Sequence, residues 1–275
     1  MTTTLKISPY ERLLIPRYSC SIGSGFWQMV QEYGKYTPED FEVWKLLYER
    51  LMPHLPGAAV PEYLEGIRRV RFVADRIPDF EDTNRLLDSW TGWRLEVVPG
   101  LIPDKDFFEL LADKKFPAST WLRKLSELDY LEEPDMFHDV FGHVPLLTNA
   151  DLVSYLQELS KIALRHIKNP YAIELLSRIY WFTVEFGLIH TDAGLRIYGA
   201  GILSSKGETS YALHDPKPAR HPFDVAHILD TPFRKDEYQK EYFIIDGFDQ
   251  LASCIPELDR VLNEKINATK GRAPG

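Results

Sequence analysis

Two histidines, His138 and His143, stand five residues apart in the stretch Glu133-Pro134-Asp135-Met136-Phe137-His138-Asp139-Val140-Phe141-Gly142-His143-Val144-Pro145. Framed by apolar side chains and flanked by acids, this pair constrains the backbone more than any other feature of the chain. On a regular α-helix five residues turn a side chain through about 140°, so the two imidazoles would face different ways. To share one ligand they need a bend between them. Gly142 permits a bend and Pro145 stops a helix, which predicts His138 on a last helical turn and His143 on the exit. The zincin pattern H-E-x-x-H has a glutamate after the first histidine and four-residue spacing, whereas this chain has Asp139 and five. A zinc protease is thereby disfavoured. The stretch alone leaves two readings, a metal site or two core histidines with satisfied hydrogen bonds.

A third donor is available in Ile179-Tyr180-Trp181-Phe182-Thr183-Val184-Glu185-Phe186-Gly187-Leu188-Ile189, where Glu185 is the only acid, 42 residues beyond His143. A helix that is apolar all round is a buried helix, and an unpaired carboxylate within it costs on the order of several kcal/mol. Either a metal or a basic neighbour such as Arg178 compensates it. Two histidines and one carboxylate leave open positions on an octahedral ion, the arrangement of non-heme Fe(II) oxygenases.

The chain has 275 residues, enough for one large domain or two small ones. A net charge of −9 without a basic cluster argues against nucleic acid and anionic membrane surfaces, which leaves small molecules as the expected partners. Cys20 and Cys254 lie far apart and give no disulfide framework. The amino-terminal residues lack the apolar core of a signal peptide, and the most apolar later run is interrupted by Arg178 and Glu185, so a cytoplasmic location is expected.

Along the chain, Thr37 reads as an N-cap with Pro38 at the first helical position and Glu39 and Asp40 in the first turn; Phe41, Trp44, Leu47, Tyr48 and Leu51 then mark one apolar face. Further helices are expected from Pro61 to about Val70 and from Asp79 toward Trp90, with Trp44 and Trp90 as core. Arg94 to Val98 alternates as a strand, Leu101 to Phe108 is a loop entering a helix, and Phe116 to Arg123 reads as a second strand with Trp121 and Arg123 on one face. A helix capped at Asn149 or Asp151 reaches about Ile167, and Pro170 opens the buried helix that carries Glu185. Glycines 194, 199, 201 and 207 suit turns at a cleft wall; Pro222 opens a short helix, Tyr242 to Ile245 is a strand, and Phe248 to about Asn267 is the last helix. The expected organisation is a flexible lead-in over 1–15, one domain over 16–268 and a loose tail over 269–275.

The histidine block, the run Ile179 to Leu188 and the later Tyr198-Gly199-Ala200-Gly201-Ile202-Leu203-Ser204-Ser205 together resemble the tetrahydropterin-dependent aromatic amino acid hydroxylases, in order and over roughly Pro16 to Leu262. The resemblance is to the short bacterial members that act on phenylalanine. It implies a mainly α (α+β) catalytic-domain fold, helical with short strand pairs around an iron cleft. It also implies Fe(II) at His138, His143 and Glu185, a tetrahydropterin, and O₂ divided between the substrate ring and the pterin. By resemblance the pterin is held by the Gly100, Leu101 and Ile102 backbone and the face of Phe107, with Tyr180 close by and Asp139 in contact through water. Animal relatives carry glutamate where Asp139 stands, one methylene longer. The resemblance gives the substrate carboxylate to Arg123, with Ser204 as a second partner, and puts Trp181 in the substrate pocket.

The expected reaction is L-phenylalanine to L-tyrosine; tryptophan 5-hydroxylation is the alternative within the family. A metal-dependent hydrolase and an inactive binding protein are the alternatives outside it. Pro117 and Lys235 depart from the family's usual residues. A monomer served by pterin-recycling enzymes is expected, because the 275 residues leave no room for the sensory domain and tetramerising helix of animal members.

Overall fold

In the computed structural model, residues 29–129 and 133–270 are described; the lead-in over 1–15, Cys20 and the last residues of the expected tail lie outside them. The first helix, α1 (Pro38–Leu51), starts as its sequence predicts. Thr37 accepts from the Asp40 N–H, and Asp40 accepts in return from the Thr37 N–H at 2.7 Å, so two otherwise orphaned donors are satisfied. Helices α2 (Pro61–Val70) and α3 (Phe80–Thr91) follow, α3 capped by Asp79 and closed by Gly92 in the left-handed conformation. Trp44 is fully buried, as expected of a core residue. Trp90 is not core: it is half exposed, and the Arg69 guanidinium lies 4.0 Å from its ring centroid.

Strand β1 (Arg94–Val97) pairs in parallel with β2 (Lys115–Ala118), and helix α4 (Asp104–Ala112) makes the crossover. The second strand is shorter than its alternation suggests. It stops at Ala118, so Trp121 and Arg123 lie on the loop that follows rather than on a strand face.

The histidine block does not bend. Phe137–His143 forms a π-helix, continued by a 3-10 turn over Val144–Thr148. A π-helix bonds residue i to i+5, which brings residues five apart onto one side, so the widened helix does what a bend was expected to do. Its opposite side is an aromatic anchor: Phe137 and Phe141 stack at 4.7 Å, and Trp44 and Tyr48 meet them edge-on from α1. The widening disturbs the α-helical ladder, and the Tyr63 hydroxyl of α2 donates to the Phe141 carbonyl at 2.7 Å. Gly142 has a different use from the one expected of it. A Cβ there would lie 3.0 Å from the Ala200 carbonyl, so the glycine allows close packing.

Next come α5 (Ala150–Arg165), capped by Asn149, and α6 (Pro170–Tyr180), capped by Asn169. The second of these also passes into a π-turn, Trp181–Glu185, closed by the Phe186 N–H donating to the Trp181 carbonyl at 2.8 Å. The glycine-bearing stretch beyond it holds more than turns: β3 (Leu188–Thr191) and β4 (Gly194–Ile197) form an antiparallel hairpin. Helices α7 (Ala200–Leu203) and α8 (Lys206–His214) lead to β5 (Ala219–Pro222), which Pro222 ends instead of opening a helix. Helix α9 (Val225–Asp230) starts one turn later on the Asp224 cap. Strand β6 (Glu241–Ile245) completes a four-stranded sheet in the order β4-β3-β6-β5, with β6 parallel to both neighbours. The expected last helix is two, α10 (Phe248–Ser253) and α11 (Ile255–Lys270), interrupted at Cys254. One hydrophobic core runs from Val43 to Ile266; Val98, Ile102 and Leu110, with Phe107 against them, make a small separate cluster under the 99–103 loop. The fold is therefore mainly helical with short strand pairs.

The close approaches in this frame set a test. A Cβ on Gly199 would fall 2.5 Å from both the Glu185 carbonyl and the Gly187 nitrogen, backbone atoms that cannot swing aside. Gly199→Ala is expected to destabilise the fold by about 1–3 kcal/mol in urea unfolding, as overpacking does. An unchanged midpoint would show that this approach is not tight.

Candidate metal centre

The two π-turns bring three donors together. His143 Nε2 lies 3.2 Å from one carboxylate oxygen of Glu185 and His138 Nε2 lies 3.6 Å from the other. All three donor atoms are within 4.8 Å of one another, and the two imidazole planes stand at 87°. The alternative partner for Glu185 is ruled out by its position: Arg178 pairs with Glu174 and donates to the Leu229 carbonyl. Burial pushes the Glu185 carboxyl up, but His143, then His138 and Lys235, hold it down at about 2. Burial lowers His138, with Glu185 opposing. The result is an ionised carboxylate facing an imidazole whose neutral form is favoured, which is the protonation state metal ligands require. The donors fit a divalent cation with open positions.

A second ring of contacts orients these donors. The Ser204 hydroxyl lies 2.9 Å from the Ala200 carbonyl, which can only accept, and 2.9 Å from His138 Nδ1. With its one proton given to the carbonyl, the serine accepts from Nδ1–H, which leaves the Nε2 lone pair of His138 aimed at Glu185. His143 lies against the Phe116 ring of β2 at 4.8 Å. Asp135 is fully buried and accepts four hydrogen bonds: from the His138 N–H, the Arg123 N–H, and the Arg123 Nε and Nη2 at 2.9 and 2.8 Å. One carboxylate thus ties Arg123 to the first turn of the histidine helix.

Among the described residues Arg123 and Ser204, both expected at the substrate carboxylate, have different partners. Asp135 occupies one edge of the guanidinium, and Ser204 serves His138. Asp139 accepts from the Ser119 N–H at 2.8 Å, just past the end of β2, and burial raises its carboxyl. The 99–103 loop leaves the same end of the parallel pair, with Ile102 buried, Leu101 exposed and Gly100 at the turn. Ligand sites commonly form at the carboxyl ends of parallel strands. Phe107, partly buried, meets Tyr180 edge-on at 5.4 Å, and Tyr180 shares the electrostatic surroundings of Glu185 and Asp139.

Trp181 is clamped. Phe233 stacks on it at 4.4 Å, Phe186 tilts against it at 4.6 Å, and its ring nitrogen donates to Gln239 at 2.9 Å. Gln239 is in turn held through its own N–H by the buried Glu208, which also accepts from Tyr242. Lys235, for which the sequence offers no explanation, puts its ammonium 5.7 Å from the Trp181 centroid; burial lowers it, while Glu185 and Asp104 act to keep it charged. Asp135 stood in the sequence as one of the acids flanking the histidines. Phe233, Gln239 and Glu208 carried no signal there, because their contacts with Trp181 and with each other cross 31 to 58 positions.

Helical elements that turn two histidines and a glutamate toward one point, beside an aromatic cleft, define a mononuclear metal centre of the two-histidine, one-carboxylate type. The chain belongs to the biopterin-dependent aromatic amino acid hydroxylases, whose family pattern it matches over residues 29–269. It is 51% identical over 221 residues to the phenylalanine-4-hydroxylase of Chromobacterium violaceum, a match that covers 80% of this chain and 74% of that one. To the phenylalanine-4-hydroxylase of Ralstonia nicotianae it is 49% identical, covering 81% of this chain and 71% of the relative. The crystal structure of the Chromobacterium violaceum enzyme with bound oxidised Fe(III) superposes with a TM-score of 0.84 at 48% identity, covering 87% of this chain and 86% of that one.

The Arg123–Asp135 pair yields a test with a definite sign. Burial acts to raise the Asp135 carboxyl, but the hydrogen bonds and charge of Arg123, with the backbone N–H groups of Arg123 and His138, bring it below its ordinary value of 3.8. A carboxyl depressed in the folded state stabilises above its unfolded pKa and loses that stabilisation as pH falls through the folded pKa. Asp135→Ala is expected to cost about 3–5 kcal/mol near neutrality, since it strands a buried guanidinium. The stability gap between parent and variant should narrow as urea unfolding is taken from about pH 7 to below about pH 4, and a gap independent of pH would refute this account.

Proposed function

We propose that this family member hydroxylates L-phenylalanine to L-tyrosine, using iron held by His138, His143 and Glu185 and a tetrahydropterin. The observation that carries the metal assignment is the convergence of those three donors within 4.8 Å. Bound in this cleft, iron(II) and the pterin supply the electrons and the O₂ activation that amino-acid side chains lack.

The protein's own part is to bind and orient. The pterin lies between the Gly100, Leu101 and Ile102 backbone and the Phe107 ring, near Tyr180, with Asp139 fixed by Ser119 as its polar neighbour. The Nη1 edge of Arg123, left over by Asp135, takes the substrate carboxylate, because a guanidinium fork fixes orientation as well as adding attraction. Ser204 acts on the same site through His138, holding Nδ1–H so that Nε2 is the ligand. Trp181, immobilised between Phe233 and Phe186, forms a flat wall for the substrate ring.

Phenylalanine is favoured over tryptophan by the likeness to relatives that bear that activity in their names, and by a tryptophan wall that does not yield to a second indole. Residues 16–268 act as one catalytic domain, consistent with a single main core. The chain works as a monomer in the cytoplasm alongside pterin-recycling enzymes. Among the described residues no helix is long and apolar enough to cross a membrane.

His143→Ala or Glu185→Gln is expected to leave a folded protein that no longer retains one Fe(II) per chain after desalting; stoichiometric iron in either variant would overturn the ligand assignment. For the substrate, phenylalanine, tryptophan and tyrosine compete at equal concentration with Fe(II) and a tetrahydropterin present. Tyrosine should be the main product, and a higher kcat/KM for tryptophan would overturn the choice. In the same assay Arg123→Ala should lose about 2–5 kcal/mol in kcat/KM, expressed mainly in KM, with its iron content unchanged. Equal losses with a substrate analogue that lacks the carboxylate would assign Arg123 a purely structural role.

A further inference from the structure

In the parallel pair β5–β6, Ala219 lies opposite Glu241 and His221 opposite Phe243. Side chains two apart on a strand share a face, so His221 and Glu241 project as diagonal neighbours from the same face of the sheet. His221 Nε2 is 3.4 Å from the Glu241 carboxylate. Just beyond β5, Asp224 accepts from the His227 N–H and caps α9, which puts His227 in the first turn, its ring centroid 4.7 Å from that of His221. Both imidazoles rest on Phe243, at 5.4 and 5.0 Å. The donor atoms of His221, His227 and Glu241 all lie within 4.8 Å of one another, the same convergence found in the triad of His138, His143 and Glu185.

We propose that His221, His227 and Glu241 form a second divalent-metal site, suited to zinc and separate from the iron centre. A separation of 3.4 Å is longer than an ordinary N–H···O hydrogen bond of about 2.7–3.2 Å. It matches instead the edge of a tetrahedral zinc site, where bonds of about 2.0–2.2 Å set neighbouring donors about 3.3 Å apart. Two imidazoles with one carboxylate select zinc or a late first-row metal over magnesium or calcium, which favour all-oxygen sites. His227 is exposed and the other two are partly so, which leaves the fourth position to water and gives the ion a route in. The ligands come from β5, α9 and β6, so a bound ion pins the β5–α9 turn to the sheet. The chain then runs directly from α9 to Phe233, which stacks on Trp181, and Phe243 beneath the imidazoles packs on Phe182 at 5.1 Å. The site's effect is therefore structural support for the segment that walls the substrate cleft.

The test uses the iron-loaded protein titrated with Zn²⁺ by calorimetry, with iron and zinc measured after gel filtration and the thermal midpoint recorded with and without zinc. One zinc is expected per chain in addition to the iron, together with a higher midpoint. His227→Ala, at an exposed position, should bind that zinc at least about tenfold more weakly and lose the rise in midpoint while keeping its iron and its hydroxylation of substrate. Glu241→Gln should do the same. The His143→Ala protein, with its iron site broken, should still take up this zinc. The proposal is overturned if zinc enters only by displacing iron one for one, or if His227→Ala and Glu241→Gln bind it as tightly as the parent.

Discussion

An ionised carboxylate inside an apolar helix is the constraint around which this structure is arranged. Glu185 follows Phe182, Thr183 and Val184, all buried, and its charge is opposed by burial and sustained chiefly by two imidazoles. A divalent ion held by the same three donors would take over that role and leave a net positive centre where O₂ chemistry requires open coordination. Both helices that supply ligands leave the α-helical path at the ligand positions, Phe137–His143 and Trp181–Glu185. A π-turn gives up regular hydrogen bonding to re-aim side chains, and it persists only where neighbours make up the loss. Here the compensation is visible in Tyr63 on the Phe141 carbonyl, and in Tyr155 and the Ile179 carbonyl on the Thr183 hydroxyl.

The polar groups around the metal centre connect residues assigned to different functions. Arg123 spans both oxygens of Asp135, and the His138 N–H donates to the same Oδ1 that takes Arg123 Nη2, so the group assigned to the substrate carboxylate and the first metal ligand share one buried anchor. Ser204 closes a similar link from α7, whose approach depends on Gly199 and Gly142 having no side chain. Asp135 is buried and Ser204 partly so, and both are multiply bonded, which gives a route by which binding at Arg123 can be felt at His138.

Local signals in the sequence carried much of the fold. Thr37-Pro38-Glu39-Asp40 specified a helix start through caps that need only adjacent residues, and Asp79 and Gly92 bounded α3 in the same way. Chemistry singled out His138, His143 and Glu185, since those residue types in apolar frames have few inexpensive explanations. The path between the histidines was not legible, because five-residue spacing is read against an α-helix unless the π form is considered, and nothing local distinguishes a widened helix from a bend. Strands β3, β4 and β5 went unseen for a related reason: they have four residues each and owe their pairing to β6 and to one another. Phe116 to Arg123 alternates well enough to read as one strand, yet β1 offers partners only as far as Ala118, and Asp135 takes Arg123 away. The clamp on Trp181 depends, besides Phe186, on Phe233 and Gln239, more than 50 positions distant, which no periodicity reveals.

Lys235 shows how a residue that breaks an expected pattern can still be consistent with its surroundings. A cation in an aromatic cleft is costly, and burial lowers its pKa; the Trp181 face and the carboxylates of Glu185 and Asp104 offset that cost from three directions. The influence is reciprocal. Lys235 contributes to keeping Glu185 ionised, and at the start of α4 beside the 99–103 loop burial raises the Asp104 carboxyl while the same charge acts to lower it. A single ammonium therefore links the loop assigned to the pterin, the wall assigned to the substrate and the carboxylate assigned to the metal. With an apolar residue there, Glu185 would keep its imidazole partners, but Asp104 would lose the charge that opposes its desolvation.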